Sequence, residues 1–225
     1  MIYILRHGKT EWNKRRKLQG RTDIPLCDEG RAMASEAAEE YAGVHFDVCY
    51  SSPLVRARET AQIILQGRDV PIIIDDRLME MGFGIYEGIE RSFEQPDCPI
   101  NILFNDPENY KAPADAGESL DELFARTRSF IDEVIIPLRE AGKDVLIVGH
   151  GALNSCMLTQ AKGLPRKDFW SHGIVQCKLM PFFFFFSFTI FLTHIPDLTR
   201  TNEIRHLMIS SPSMTASIHV TLSVV

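Results

Sequence analysis

What most constrains the fold of this chain is an alternation. Four short apolar runs, each too brief for a helix, are separated by longer stretches with helical spacing. The runs are "IYIL" (2–5), "FDVCYSS" (46–52), "VPIIID" (70–75) and "DVLIVGH" (144–150). They are rich in β-branched residues and mostly uninterrupted by polar positions, the pattern of strands buried on both faces. The spacing between them predicts helices over 28–41, 53–66 and 119–139, with a fourth opening just after His150. Ser52 reads as an N-cap with Pro53 at the first helical position. Ser119 and Glu122 have the three-residue offset of a capping box, and Pro137 should kink or end the helix it sits in. This order of elements implies an α/β chain, a three-layer sandwich with a mostly parallel central sheet and helices on both faces. At 225 residues there is enough chain for one sizeable domain with a real core. The stretch 83–117 carries Pro96, Pro99, Pro107 and Pro113 and reads as an irregular insertion.

Composition narrows the function classes. A net charge of -6 argues against a protein built to bind nucleic acid. Yet Lys14, Arg15, Arg16, Lys17 and Arg21 form a local basic patch. Two readings stand for it: a solvated loop, or a funnel for an anionic small molecule. Cys27, Cys49, Cys98, Cys156 and Cys177 are odd in number and lack a CxxC pair. That implies a reduced, cytoplasmic chain rather than a disulfide framework or a zinc site. "IYIL" is too short for the core of a signal peptide. The segment "LMPFFFFFSFTIFL" (179–192) is different in kind. It is too short and holds a proline for a membrane span; part of it could complete the sheet as a strand. It could equally come from a shifted reading frame through a thymine homopolymer. The expected domain therefore covers 1–177, and 178–225 is an atypical Phe-rich segment not expected to carry function.

In an open α/β sheet, ligands bind past the carboxyl ends of the strands, where helix N-termini also point. Past the first run come Arg6 and His7; past the second, Ser51, Ser52 and then Arg56. Glu80 follows the third and His150 the fourth. Singly, each has a structural explanation, such as a buried histidine or a solvated arginine. Convergence of all of them on one rim is harder to explain that way. Two guanidiniums with helix N-termini suit a tetrahedral dianion such as phosphate. Like charge disfavours protonated histidine beside arginine, so one imidazole stays neutral and nucleophilic. A carboxyl group beside bound phosphate favours its acid form, which suits protonation of a leaving alkoxide.

The motifs "RHGKTEWN", "LQGRTDIPLCDEG", "SSPLVRARETA", "LMEMGFGIYEG", "AGESLDELFAR" and "VGHGA", in this order, resemble the histidine phosphatase superfamily, also called phosphoglycerate mutase-like. The resemblance runs from residue 1 to about 177. It implies that His7 is the nucleophile that becomes phosphohistidine. Arg6, Arg56 and His150 would hold the phosphoryl oxygens, with Asn13, Gln19 and Gly20 in the same phosphate-binding set. Glu80 would be the proton donor and then the base that activates water. Gly8 and Gly151 would keep side chains away from the phosphoryl group. Cys27 stands where a threonine usually caps the first long helix, so Asp28 would take over.

The implied activity is phosphomonoester hydrolysis on a small anionic ester, with no metal, no organic cofactor and no membrane or nucleic-acid partner. A phosphoglycerate mutase is the alternative within the family, although the short middle segment looks more like its phosphatases. Outside the family three readings stand lower. A zinc hydrolase lacks a third ligand beside His7 and His150. A dinucleotide fold would rest on "GFGIYEG", whose spacing is GxGxxxG. A non-catalytic phospholigand binder would have no need of both His7 and Glu80. Nothing in the sequence names the ester or the oligomeric state.

Overall fold

A computed structural model describes residues 1–114 and 117–183. In chain order these form β1 (Ile2–Arg6), α1 (Glu11–Lys14), α2 (Asp28–Glu40), β2 (Val48–Ser51), α3 (Val55–Ile64) and β3 (Ile72–Ile74). There follow α4 (Asn101–Asn105), α5 (Leu120–Phe130), α6 (Ile136–Glu140), β4 (Val145–Gly149), α7 (Gly151–Ala161) and β5 (Leu179–Pro181). The sheet order is β3-β2-β4-β1-β5, parallel except for β5, which runs antiparallel to β1. All five residues of β4 are buried, because this strand has a neighbour on each side and helices over both faces.

Alternate strand residues serve the two faces. Leu5, Cys49, Leu146 and Val148 pack against Ala34 and Ala37 of α2 and Ala57, Ala61 and Ile64 of α3. The alanines let those helices lie close to the sheet. On the other face Tyr50 meets Phe130 of α5 edge-on, with ring centroids 5.6 Å apart. The expected α/β sandwich is what forms.

Several boundaries differ, each for a physical reason. The second long helix opens at Val55 rather than at 53, with Leu54 as its N-cap. The Ser52 hydroxyl accepts from the Leu54 amide at 3.3 Å and closes the preceding turn. The first-turn amide of Val55 is bonded instead by the Asp23 carboxylate, at 2.7 Å and from 32 residues away. The helix around Pro137 is interrupted and ends soon after it, at Glu140. A π turn over Ile131–Ile135 absorbs the irregularity, and Pro137 then falls at the start of α6, where its missing N–H costs nothing. Asp28 does not replace a threonine cap on α2. Cys27 is the N-cap, with no side-chain cap bond, and Asp28 pairs with Arg31 instead.

The sheet takes in residues beyond 177. Tyr3, Ile4 and Leu5 of β1 face Pro181, Met180 and Leu179 of β5, and the Phe182 amide donates to the Ile2 carbonyl. Pro181 is tolerated because β5 is an edge strand. The rest of the Phe-rich run and the reading-frame expectation lie outside the described residues. All five cysteines are free and buried. Among the described residues no helix is long and apolar enough to cross a membrane.

Candidate active site

Sheet order decides which side chains meet. Because β4 lies between β2 and β1, the carboxyl ends of the three strands present Ser52, His150 and the Arg6–His7 pair side by side. The His7 amide donates to the Gly149 carbonyl at 3.0 Å, and the His7 and His150 rings stand 5.1 Å apart, tilted by 59°. Arg56, in the first turn of α3, reaches in from one side, and Glu80, past β3, from the other. A cleft of about 260 Å³ opens over them, lined by Arg6, His7, Asn13, Arg56, Glu80 and Gly151 among others.

The tautomer of His7 follows from its partners. Its Nδ1 lies 2.6 Å from the Gly8 carbonyl oxygen, which can only accept, so Nδ1 carries the proton. In the neutral ring Nε2 then holds a lone pair, and Arg56 Nε donates to it at 3.3 Å. Burial holds the pKa of His7 well below the usual 6.5, and the nearby charges of Arg56 and Arg6 push the same way. His150 is lowered for the same reasons, burial first. Its Nε2 lies 2.8 Å from the Ser52 hydroxyl.

Arg56 is buried and Arg6 half-buried, with little to neutralise either. Among the residues described, the side chains of Arg6 and Arg56 make no ion pair within 4.0 Å. Arg56 is held by carbonyls instead, donating to Gly20 at 2.7 Å and Thr22 at 2.9 Å. Desolvation lowers its pKa to about 10. Arg6 is also lowered by burial, and its Nε has no hydrogen-bond partner. Cations of this kind favour an anion that accepts from both.

Glu80 is placed by two sets of contacts. Its carboxylate accepts from the amides of Met81 (2.9 Å), Leu153 (3.0 Å) and Ala152 (3.2 Å), at the N-terminus of α7. Its backbone carbonyl accepts from Arg126 at 3.2 Å and Arg21 at 3.3 Å. Buried Glu118 binds Arg126 through both oxygens, at 2.6 and 2.9 Å, and lies 3.2 Å from Arg21. Sequence reasoning quoted Glu118 within a motif but gave it no role.

The remaining expected residues divide. Asn13 and Gln19 line the cleft. The Asn13 Oδ1 is committed to the Thr10 amide and to Gln176, at 2.9 Å, so its N–H groups are what it can offer a phosphoryl oxygen. Gln176 was not foreseen, since it comes to Asn13 from 163 residues away. Gln19 accepts from the Thr10 hydroxyl. Gly20 has φ +57°, and a Cβ there would meet the Glu87 carboxylate at 2.1 Å. A Cβ on Gly151 would touch Arg6 at 3.5 Å and Glu80 at 3.6 Å, inside the cleft. A Cβ on Gly8 would meet the Gly30 carbonyl at 2.6 Å, so this glycine is needed for packing against α2.

Of the basic run, Arg16 and Lys17 line the cleft. Every cation of the run has a carboxylate partner: Lys14 with Glu11, Arg15 and Lys17 with Glu90, Arg16 with Glu94 and Arg21 with Glu118. The pairs with Glu90 and Glu94 staple the loop to the insertion. Among the described residues, the grouping with metal-ligand geometry is His45, Asp47 and Asp144, at the amino ends of β2 and β4 and opposite the cleft.

Residues 2–183 match the family profile described as the histidine phosphatase superfamily (branch 1). Phosphoserine phosphatase 1 of Hydrogenobacter thermophilus is 30% identical over 172 residues, 76% of this chain and 81% of that protein. The 2,3-bisphosphoglycerate-dependent phosphoglycerate mutase 2 of Gloeobacter violaceus is 32% identical over 185 residues, 81% of this chain and 84% of its own. Among solved structures, Bacillus stearothermophilus YhfR superposes with a TM-score of 0.71 at 30% identity, over 79% of this chain and 88% of that one.

Proposed function

This chain belongs to the histidine phosphatase superfamily, and from that premise we propose that it is a phosphomonoesterase working through phosphohistidine. The observation that carries this reading is the neutral, Nε2-bare His7 set between the guanidiniums of buried Arg56 and half-buried Arg6, neither in an ion pair. Nε2 attacks phosphorus in line, and the P–N bond forms as the ester P–O bond breaks. Arg6, Arg56 and His150 hold the non-bridging oxygens as charge redistributes. Glu80 gives its proton to the departing alkoxide. Water then attacks phosphorus, Glu80 takes the water proton, and the P–N bond breaks to return neutral His7 and free phosphate.

Two guanidiniums where a metal site would place carboxylates repel a cation. Turnover is therefore expected to persist in excess EDTA, and loss of activity restored by Mg²⁺ would count against this mechanism.

Its relatives are named both as a phosphatase and as a mutase. The experiment that separates them supplies 3-phosphoglycerate and assays both free phosphate and 2-phosphoglycerate, beside a generic phosphate ester and with H7A as control. Free phosphate that H7A abolishes supports the phosphatase. Isomerisation with little free phosphate would make the chain a mutase. Neither product from folded protein would favour the non-catalytic binder.

A further inference from the structure

Arg6, His7, Arg56 and Glu80 account for one half of the cleft; the other half has a different chemistry. Leu18, Phe83, Phe93, Phe104 and Trp170 line it. The Phe104 and Trp170 rings stack 5.3 Å apart with 14° between planes, and Phe93 meets Phe104 edge-on at 5.8 Å. The Trp170 indole N–H donates to the Leu103 carbonyl at 2.7 Å, which turns its polar atom into the protein and fixes the ring as a wall. Phe93, Phe104 and Trp170 are each only partly buried, so the ledge keeps open apolar surface.

Two cations, Arg16 and Lys17, also line the cleft, each held by a glutamate that it shares with another cation, Arg91 for Glu94 and Arg15 for Glu90. Arg16 pairs with Glu94 at 2.8 Å and lies over Phe93 at 4.7 Å. Lys17 lies 3.8 Å from Glu90 and 5.5 Å from the Trp12 ring centre. A carboxylate on a leaving group would have to compete with these glutamates for both cations. An uncharged ring would meet matching surface.

We infer that the Phe93–Phe104–Trp170 ledge is the leaving-group subsite and that the substrate class is a phosphomonoester of an uncharged alcohol with a flat apolar body. Small carboxylic-acid phosphates fit it poorly. This inference rests on the phosphatase reading, and it narrows the small anionic ester expected from sequence.

The test compares kcat/KM for 2-phenylethyl phosphate, ethyl phosphate, 3-phosphoglycerate and O-phosphoserine. Phenylethanol and ethanol depart as alkoxides of similar basicity, so their ratio reports contact with the ring rather than intrinsic reactivity. The phenylethyl ester is expected to exceed the ethyl ester by roughly 30-fold, from burial of one ring, and to exceed both carboxylate-bearing esters. W170L and, separately, F104L are each expected to lower the phenylethyl-to-ethyl ratio by about tenfold. The wild-type ratio stands even if a variant fails to fold. A ratio near one, or preference for 3-phosphoglycerate or phosphoserine, overturns the subsite and leaves the phosphatase reading intact. Phosphate released from none of the four overturns both.

Discussion

Glu118 decides where Glu80 sits without touching the reacting atoms. It holds Arg126 and Arg21, and both arginines donate to the Glu80 carbonyl. E118Q keeps the shape but weakens the charge-assisted clamp, so Glu80 loosens while the phosphate-holding residues stay in place. The expected result is a fall in kcat of roughly 10- to 100-fold with KM nearly unchanged, since small displacements of a catalytic group act on the chemical step. A merely structural role would lower active-site content instead, leaving kcat per titrated site at the wild-type value. Arg6, His7, Arg56, Glu80 and His150 could be proposed as site residues from sequence because each falls just past an apolar run. Glu118 could not, because its importance arises from two arginines 97 and 8 residues away. The same holds for Gln176, which positions Asn13 from the far end of the domain.

At the scale of elements, helix α2 has an N-cap whose side chain makes no capping bond. Cys27 has the extended backbone of a cap, φ -85° and ψ 171°, but its Sγ lies 3.4 Å from the Lys9 carbonyl. A hydroxyl there can accept a first-turn amide. C27S is therefore expected to stabilise the protein by about 1 kcal/mol, read as a higher urea midpoint at unchanged slope; an unchanged or lower midpoint would show that the cap cannot form. Helix α5 is the contrast, since its capping box of Ser119 and Glu122 forms as the local spacing predicts. Caps were legible where both partners lie within one turn. They were not where the partner is distant, as with Asp23 at the start of α3. Strand β5 was likewise only one of several readings of its segment, because three residues beside a phenylalanine run carry too little pattern to declare a register.

For the whole molecule, the burial of His7 and His150 sets a pH dependence. Both pKa values are lowered by burial and by nearby guanidinium charge, and His172, partly buried beside Lys162, is lowered too. Unfolding returns these rings to water, where they bind protons below about pH 6.5. The unfolded chain then holds more protons than the folded one, so stability falls as pH drops through that value. Above it neither state is protonated and the contribution vanishes. The limiting slope is about 1.4 kcal/mol per pH unit for each ring that stays neutral. Asp47, held below the usual carboxylate range by the Asp144 amide and Lys143, titrates lower and does not confuse the window. Urea unfolding at pH 7.5, 6.5 and 5.5 should show the decline, and H7Q should flatten it; equal stability at all three would refute the account.

The sequence by itself determined the layered α/β architecture and the rim on which Arg6, His7, Arg56, Glu80 and His150 gather. Those depend on patterns local to each strand and on the rule that parallel strands point their carboxyl ends one way. Only the tertiary structure decided which carboxylates pair with the basic run, that Gly8 serves packing, that Glu118 clamps Glu80, and that four aromatic rings wall the cleft. Each of these is a meeting of residues distant in the chain, and a short-range pattern holds no record of which distant side chain will lie within hydrogen-bond or van der Waals reach.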